Sequence, residues 1–210
     1  MILKYPYYTL GFFVVFWIIY GTIKLETRPF YAIALDMEFP RQAWRWMTYT
    51  LLHRNLAHIL YNSVSWLLFS GIMEMDHGHL FTFITHIVSV LGGAYGVGWE
   101  CSLGHTCRVV VGTSGGIYGL CAAQIGNIIF NWNTINIYRR AIYSSIVVTL
   151  VVTDTLVTVV LYDPLIAYSN HIGGFIFGLL MGVVLFGQWR PITEIILCLS
   201  ILSSSINLLI

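Results

Sequence analysis

The chain has 210 residues, of which 58% are hydrophobic and only 9% charged, against about 25% charged in a soluble globular domain. A soluble fold of this length has no way to hide so much apolar surface. Its ten Lys and Arg and nine Asp and Glu leave a net charge of +1; the basic residues are scattered, which gives nucleic acid no electrostatic footprint.

At about 20 apolar residues per crossing, the chain has room for at most about six or seven membrane helices. The expected fold class is therefore all-α, a polytopic membrane helical bundle forming one domain over 1–210. The first apolar run, Tyr7 to Ile23, follows Lys4 and imitates a signal peptide, but it is long, aromatic and without a small-x-small cleavage site, so it reads as a retained span. A long loop over 24–54 follows, with charges from Lys24 to Arg54 set among aromatic residues, and reads as interfacial. Further spans are expected near 55–72, 79–97, 114–130, 141–161, 168–188 and 193–210. The connection after the second of these seven carries Glu74, Asp76, His77 and His79 and reads as a solvated loop. Cys101 and Cys107 share a loop, and whether they pair is open, because spacing does not show that two sulfurs meet. Asp154, midway along the fifth span, reads as structural. Lys4, Arg139, Arg140 and Arg190 on one side against Lys24, Arg28, Arg41, Arg45, Arg54 and Arg108 on the other do not settle orientation.

Gly112-Thr113-Ser114-Gly115-Gly116-Ile117-Tyr118-Gly119 opens the fourth span. A serine that starts a helix has backbone N–H groups beside it that no helical turn uses, free to bind an oxyanion. Gly115 with Gly119, Gly174 with Gly178, and Gly178 with Gly182 are small-xxx-small pairs that let helices approach closely. His171 precedes Gly174 by three residues and Gly178 by seven, and so shares their face; Ser114 directly precedes its own stripe. Packing one stripe on the other brings Ser114 and His171 to similar depth, the nucleophile and base arrangement of acyl transfer. Tyr118, one turn on, can stack on the imidazole. Taken alone, a Gly-x-Ser-Gly string is more often packing than catalysis, whereas an intramembrane histidine is costly and a functional candidate by default. The residues by themselves leave both readings standing. His58 and Asn62 lie four apart and share a face, suited either to oxyanion donation or, for Asn62, to bonding a neighbouring helix; His53 reads as structural. With neither His-Glu-x-x-His nor Cys-x-x-Cys, no metal is expected.

In this combination the sequence resembles the rhomboid intramembrane serine proteases, from about Trp44 to Gly182. The resemblance runs through Trp44-Arg45, His58-x-x-x-Asn62, Gly112-x-Ser114-Gly115 with Tyr118, and His171-x-x-Gly174-x-x-x-Gly178. It implies a six-helix core over about 7–188 in which Ser114 and His171 form a catalytic dyad without a carboxylate, in a water-filled cavity open to the extracytoplasmic side. Oxyanion donors then fall on His58, Asn62 and the backbone N–H groups of Thr113 and Ser114. Trp44 and Arg45 match a pair that stabilises the first loop; as residues they read as an interfacial aromatic beside a snorkelling arginine. The extra span at about 193–210 is similar to the six-plus-one arrangement of eukaryotic secretory-pathway members. It implies a multi-pass protein of the secretory pathway or plasma membrane with a cytoplasmic N-terminus. Many animal members carry a cytoplasmic extension before the first span, so regulation through one is not expected here. The function implied is cleavage of single-pass transmembrane proteins within the lipid bilayer, through an acyl-enzyme, with no cofactor, no metal and no nucleic acid. The alternative is an inactive rhomboid-like scaffold that binds transmembrane clients, against which stands the presence of both Ser114 and His171. A transporter ranks last, since no inverted repeat is seen.

Overall fold

The structure, a computed structural model, describes residues 5–105, 109–156 and 166–187. Its elements are α1 (Tyr7–Thr22), α2 (Arg28–Ile33), α3 (Arg45–Thr48), α4 (Leu56–His77), α5 (His79–Ser102), α6 (Ser114–Phe130), α7 (Ile137–Leu156) and α8 (Tyr168–Phe186), with a 3-10 turn at Tyr49–Leu51. Among the described residues there is no strand; an isolated antiparallel bridge from Leu35 to Val110 ties the first loop to the segment entering α6. By length and composition α4, α5 and α8 can cross a membrane, and α1 is a shorter apolar helix. The fold is an all-α bundle of a membrane protein. The expected span at 193–210 and Cys107 lie outside the described residues; Cys101 is disulfide-bonded.

Lipid tails are as apolar as leucine, so helices in a bilayer gain little by hiding apolar surface and associate instead through close packing and hydrogen bonds. Both are concentrated around α8, which is wedged between α5 and α6. On one side, a Cβ on Gly174 would lie 2.1 Å from the Gly115 carbonyl oxygen, one on Gly178 2.1 Å from that of Gly119, and one on Gly182 2.8 Å from that of Ala123. On the other, a Cβ on Gly173 would lie 2.2 Å from the Gly92 oxygen, and one on Gly96 2.2 Å from the Ser169 oxygen. The two glycine stripes read from the sequence do pack on each other. The third partner, the Gly92 and Gly96 stripe of α5, gives α8 a second backbone-to-backbone face. Across the bundle, α1 and α4 meet through larger residues, with Phe16, Ile59, Trp66 and Ile117 in one buried cluster.

One expectation fails at the end of α4. The sequence placed Glu74, Asp76, His77 and His79 in a solvated loop, but α4 runs on through His77, turns at Gly78 (φ 94°), and α5 starts at once with His79. Glu74 is fully buried. Its carboxylate accepts from the Tyr8 and Thr9 N–H groups at 2.7 and 2.8 Å and from the Thr9 hydroxyl at 2.6 Å, and it pairs with His79. No side chain caps α1 from its N-cap position, so Glu74 satisfies donors that the first helical turn cannot, and places a negative charge where the helix dipole favours one. Asp76 pairs with Arg139 at 3.1 Å and accepts from the Tyr143 hydroxyl. The charges ended the apolar run without ending the helix, because each finds a partner on another helix.

Arg45 does not snorkel: it is buried, and its guanidinium donates to the carbonyls of Tyr31 and of Ala34 (2.8 Å) and to the Gln42 amide oxygen (2.6 Å). Having five donors in a rigid fork, arginine can gather several carbonyls at once, here the C-terminal end of α2 and the turn before α3. Trp44 is exposed, as an interfacial aromatic should be, and donates its indole N–H to the Ala32 carbonyl at 3.0 Å.

Candidate active site

Ser114 is the first residue of α6, and His171 lies in the first turn of α8. The paired stripes bring His171 Nε2 to 2.9 Å from Ser114 Oγ. Both side chains are half-buried, reachable from outside yet partly shielded from solvent. With Nε2 accepting from the serine hydroxyl, the imidazole proton rests on Nδ1. The Tyr118 ring stacks on the imidazole, 4.4 Å between centroids and 11° from parallel, and Tyr168 stands edge-on to it at 6.4 Å. Such contacts restrict ring rotation and hold Nε2 toward the serine.

The turn that delivers Ser114 is built around Gly112. Its φ of 117° lies where side chains are strained, and a Cβ there would sit 2.8 Å from His58 Cε1 and Nε2 and 3.5 Å from Asn62 Nδ2. His58 and Asn62, which their spacing placed on one helical face, thus both lie beside the 112–114 turn. A long contact of 3.5 Å from the Arg54 N–H to His58 Nδ1 leaves Nε2 toward Gly112. Asn62 is buried, and neither end of its amide has a hydrogen-bond partner among the described residues. A buried amide left unpaired costs about 1–3 kcal/mol, and such groups mark sites that a ligand completes. The first helical bond of α6 runs from the Ile117 N–H to the Thr113 carbonyl. The N–H groups of Ser114 to Gly116 therefore precede the ladder, and no side chain caps them. Asn62 Nδ2 and His58 Nε2 lie beside Gly112, two residues before Ser114 and these uncapped N–H groups, a set of donors able to stabilise a developing negative charge.

Three residues that the sequence did not single out support this region. His86 of α5 is buried, its Nδ1 2.6 Å from the Tyr8 hydroxyl and its Nε2 3.3 Å from Thr113 Oγ1; a Cβ on Gly116 would strike its ring at 2.5 Å. An intramembrane histidine is itself a signal, so His86 was findable. Asn170 and Tyr49, which hydrogen-bond at 2.9 Å, offered none. His53 is buried against Phe16 and the edge of the His58 ring, at 5.2 and 5.1 Å, in keeping with its structural reading. Burial, then the neighbouring His58, pushes its pKa down to about 3. No group of metal-ligating residues occurs among the described residues, and the Asp154 side chain lies outside them.

Comparison with known proteins agrees with this architecture. The family model described as "Rhomboid domain" matches residues 40–188, which takes in α3 through α8. Human rhomboid-related protein 3 is 27% identical over 157 residues, covering 71% of this chain and 38% of that protein. RHOMBOID-like protein 4 of Arabidopsis thaliana is 32% identical over 145 residues, covering 69% and 34%. Rhomboid-related protein 2 of Mus musculus is 26% identical over 178 residues, covering 81% and 56%. The chain thus spans between a third and somewhat over half of the length of these curated relatives. With the match extending over most of the chain, and over every residue of the Ser114 region, the chain belongs to the rhomboid family.

Proposed function

We propose that the protein is an intramembrane serine endopeptidase with Ser114 as nucleophile and His171 as base. The observation that carries this reading is the 2.9 Å contact between His171 Nε2 and Ser114 Oγ across the α6–α8 seam. The family includes both serine intramembrane proteases and inactive members, so it is this chain's own Ser114 and His171 that support activity. In the proposed reaction His171 Nε2 takes the Ser114 proton as Oγ attacks the scissile carbonyl. The oxyanion is held by the free N–H groups at the start of α6, with Asn62 Nδ2 and His58 Nε2. His171 then gives the proton to the leaving amine. Water, activated by the same imidazole, releases the acyl group from Ser114 and regenerates the enzyme.

The substrate class follows from the setting. A peptide bond inside a regular helix has its carbonyl already bonded and is shielded by side chains, so the segment cleaved is one whose helix is broken locally, by proline, glycine or polar residues. Single-pass membrane proteins that present such a segment near the extracytoplasmic face fit, in the secretory pathway or at the plasma membrane. The test is cleavage of a transmembrane substrate by purified protein in liposomes, comparing wild type with Ser114→Ala and His171→Ala. Both variants are expected to lose cleavage, and a fluorophosphonate probe to label wild type at Ser114 only. Cleavage surviving Ser114→Ala refutes the assignment; intact folded protein that neither cleaves nor labels favours the inactive scaffold.

A further inference from the structure

We propose that Asn170 is a positioning residue for His171, acting through Tyr49 to fix the first turn of α8 against α5 and α6. The proposal rests on the Ser114–His171 reading above and adds to it a device for holding the base.

The first turn of a helix is where fraying starts, because its N–H groups have no partners one turn back. Capping side chains usually prevent this. In α8 the N-cap is Ala167, which has no side chain to offer and makes no cap bond. His171 sits at the end of that uncapped turn, its N–H bonded back to the Ala167 carbonyl at a long 3.3 Å. The glycine stripe holds α8 to α6 from Gly174 onward, which is already past the base. Toward α5 the Ser169 carbonyl already packs on Gly96, so what remains to be fixed is where residues 168–171 stand relative to α6.

Asn170 meets that need. It is buried, and its amide Nδ2 donates to the Tyr49 hydroxyl at 2.9 Å, while that hydroxyl donates to the Val90 carbonyl of α5 at 2.9 Å. A tyrosine hydroxyl has one proton. Since it goes to a carbonyl, which can only accept, the group facing it from Asn170 must be the amide N–H and not the amide oxygen, so the orientation of the side chain is determined by the network. The amide is also confined sterically. A Cβ on Gly93 of α5 would lie 2.7 Å from Asn170 Nδ2, and a Cβ on Gly115 of α6 2.3 Å from Asn170 Oδ1. Two glycines on different helices leave a slot for this one carboxamide, and Gly115 is the residue after Ser114. Tyr49 has no freedom to follow a displaced partner: it is fully buried, and its own carbonyl accepts from the Gly112 N–H at 3.0 Å. One residue therefore reaches both halves of the site, with its side chain on the turn carrying His171 and its backbone on the turn delivering Ser114.

The experiment compares wild type, Asn170→Ala, Tyr49→Phe and the double variant of the full chain in liposomes. It measures kcat and KM on a transmembrane substrate, and the labelling rate and final labelled fraction with a fluorophosphonate probe. Released from its anchor, the base strays by a fraction of an ångström to about one, which lowers the chemical step by roughly 10- to 100-fold. The expected result is that loss in kcat and labelling rate per labelled enzyme for each single variant, KM within about twofold, and a double variant no slower than the slower single. Two results overturn the proposal while leaving the protease reading intact. One is single variants with kcat within twofold of wild type. The other is a reduced labelled fraction whose remaining enzyme works at the wild-type rate, which would make the contact one of stability alone. Should Asn170→Ala fail to fold, Tyr49→Phe decides by the same criteria. A wild type that neither cleaves nor labels fails at the earlier step, and is distinguished by that.

Discussion

Gly178→Ala alters the distance between α6 and α8 from a position outside the proposed chemistry. Gly178 lies seven residues beyond His171, about 10 Å along the helix, and touches no group of the proposed chemistry. A Cβ there would stand 2.1 Å from the Gly119 oxygen, 2.3 Å from its Cα and 2.4 Å from its carbonyl carbon. All three are backbone atoms, so no side chain can rotate away. Reaching the 3.4 Å of ordinary contact from 2.1 Å takes a retreat of about 1.3 Å. If α8 moves as a rod, the 2.9 Å Ser114–His171 contact opens well past the ~3.2 Å limit of a sound hydrogen bond. Misplacement by about 1 Å costs on the order of 100-fold in rate, or about 2.7 kcal/mol of barrier. Overpacking costs a further ~1–3 kcal/mol of stability, so rates must be normalised to folded protein. Gly11→Ala in α1 supplies the control: nothing lies within 4 Å of its Cβ, and the same methyl should stabilise the helix by up to ~1 kcal/mol without touching activity. The assay is liposome cleavage together with the rate of Ser114 labelling. Folded Gly178→Ala that labels within twofold of wild type would refute the argument that glycine contact sets the dyad distance.

Three further outcomes are expected. Glu74→Ala strands the N–H groups of Tyr8 and Thr9, which it serves at 2.7 and 2.8 Å; at about 1–3 kcal/mol for each buried donor left unmet, the thermal midpoint in detergent should fall sharply, and an unchanged midpoint would show that α1 is held otherwise. Tyr118→Phe keeps the ring that stacks on His171 at 4.4 Å and should keep activity, whereas Tyr118→Ala should lose up to about tenfold, the value of an aromatic contact; equal rates for the two would remove the stack from the account. His53 lies outside the spanning helices and is pushed down to about 3 from 6.5, so below pH 6.5 the unfolded chain takes a proton that the folded one refuses. Stability should therefore fall as pH drops from about 6.5 toward about 3, at up to about 1.4 kcal/mol per pH unit. His53→Phe should flatten that slope, and thermal unfolding across the range checks it.

What the sequence made legible has a common physical form. The membrane class follows from composition, and the long apolar helices α4, α5 and α8 from the length of apolar runs, which are one-dimensional properties. The meeting of Ser114 with His171 could be read because each lies within a turn or two of its own glycine stripe, and a stripe needs only helical periodicity to be seen. Glu74 was misread for the opposite reason: its partners, Tyr8 and Thr9, are more than sixty positions away, and a charge after an apolar run looks like a loop until they are known. Arg45 was read as snorkelling because the carbonyls it gathers belong to α2, a helix of six residues too short to announce itself by period. Asn170 and Tyr49 are 121 positions apart, and no local pattern connects them.

The site is consequently held by contacts of two physical kinds, and they should combine in a recognisable way. Glycine contact sets how far α8 stands from α6, while the Asn170–Tyr49 bond sets where the first turn of α8 lies once that distance is given. If both act on rate by placing His171, Gly178→Ala has already carried Asn170 out of its slot, because the slot is bounded by Gly115 on the helix from which α8 retreats. Adding Asn170→Ala to Gly178→Ala should then cost much less than it does in wild type, the non-additivity that contacting residues show. Independent losses that multiply would mean that the two devices act on different steps. The proposed latch would then have to work on something other than the position of the base.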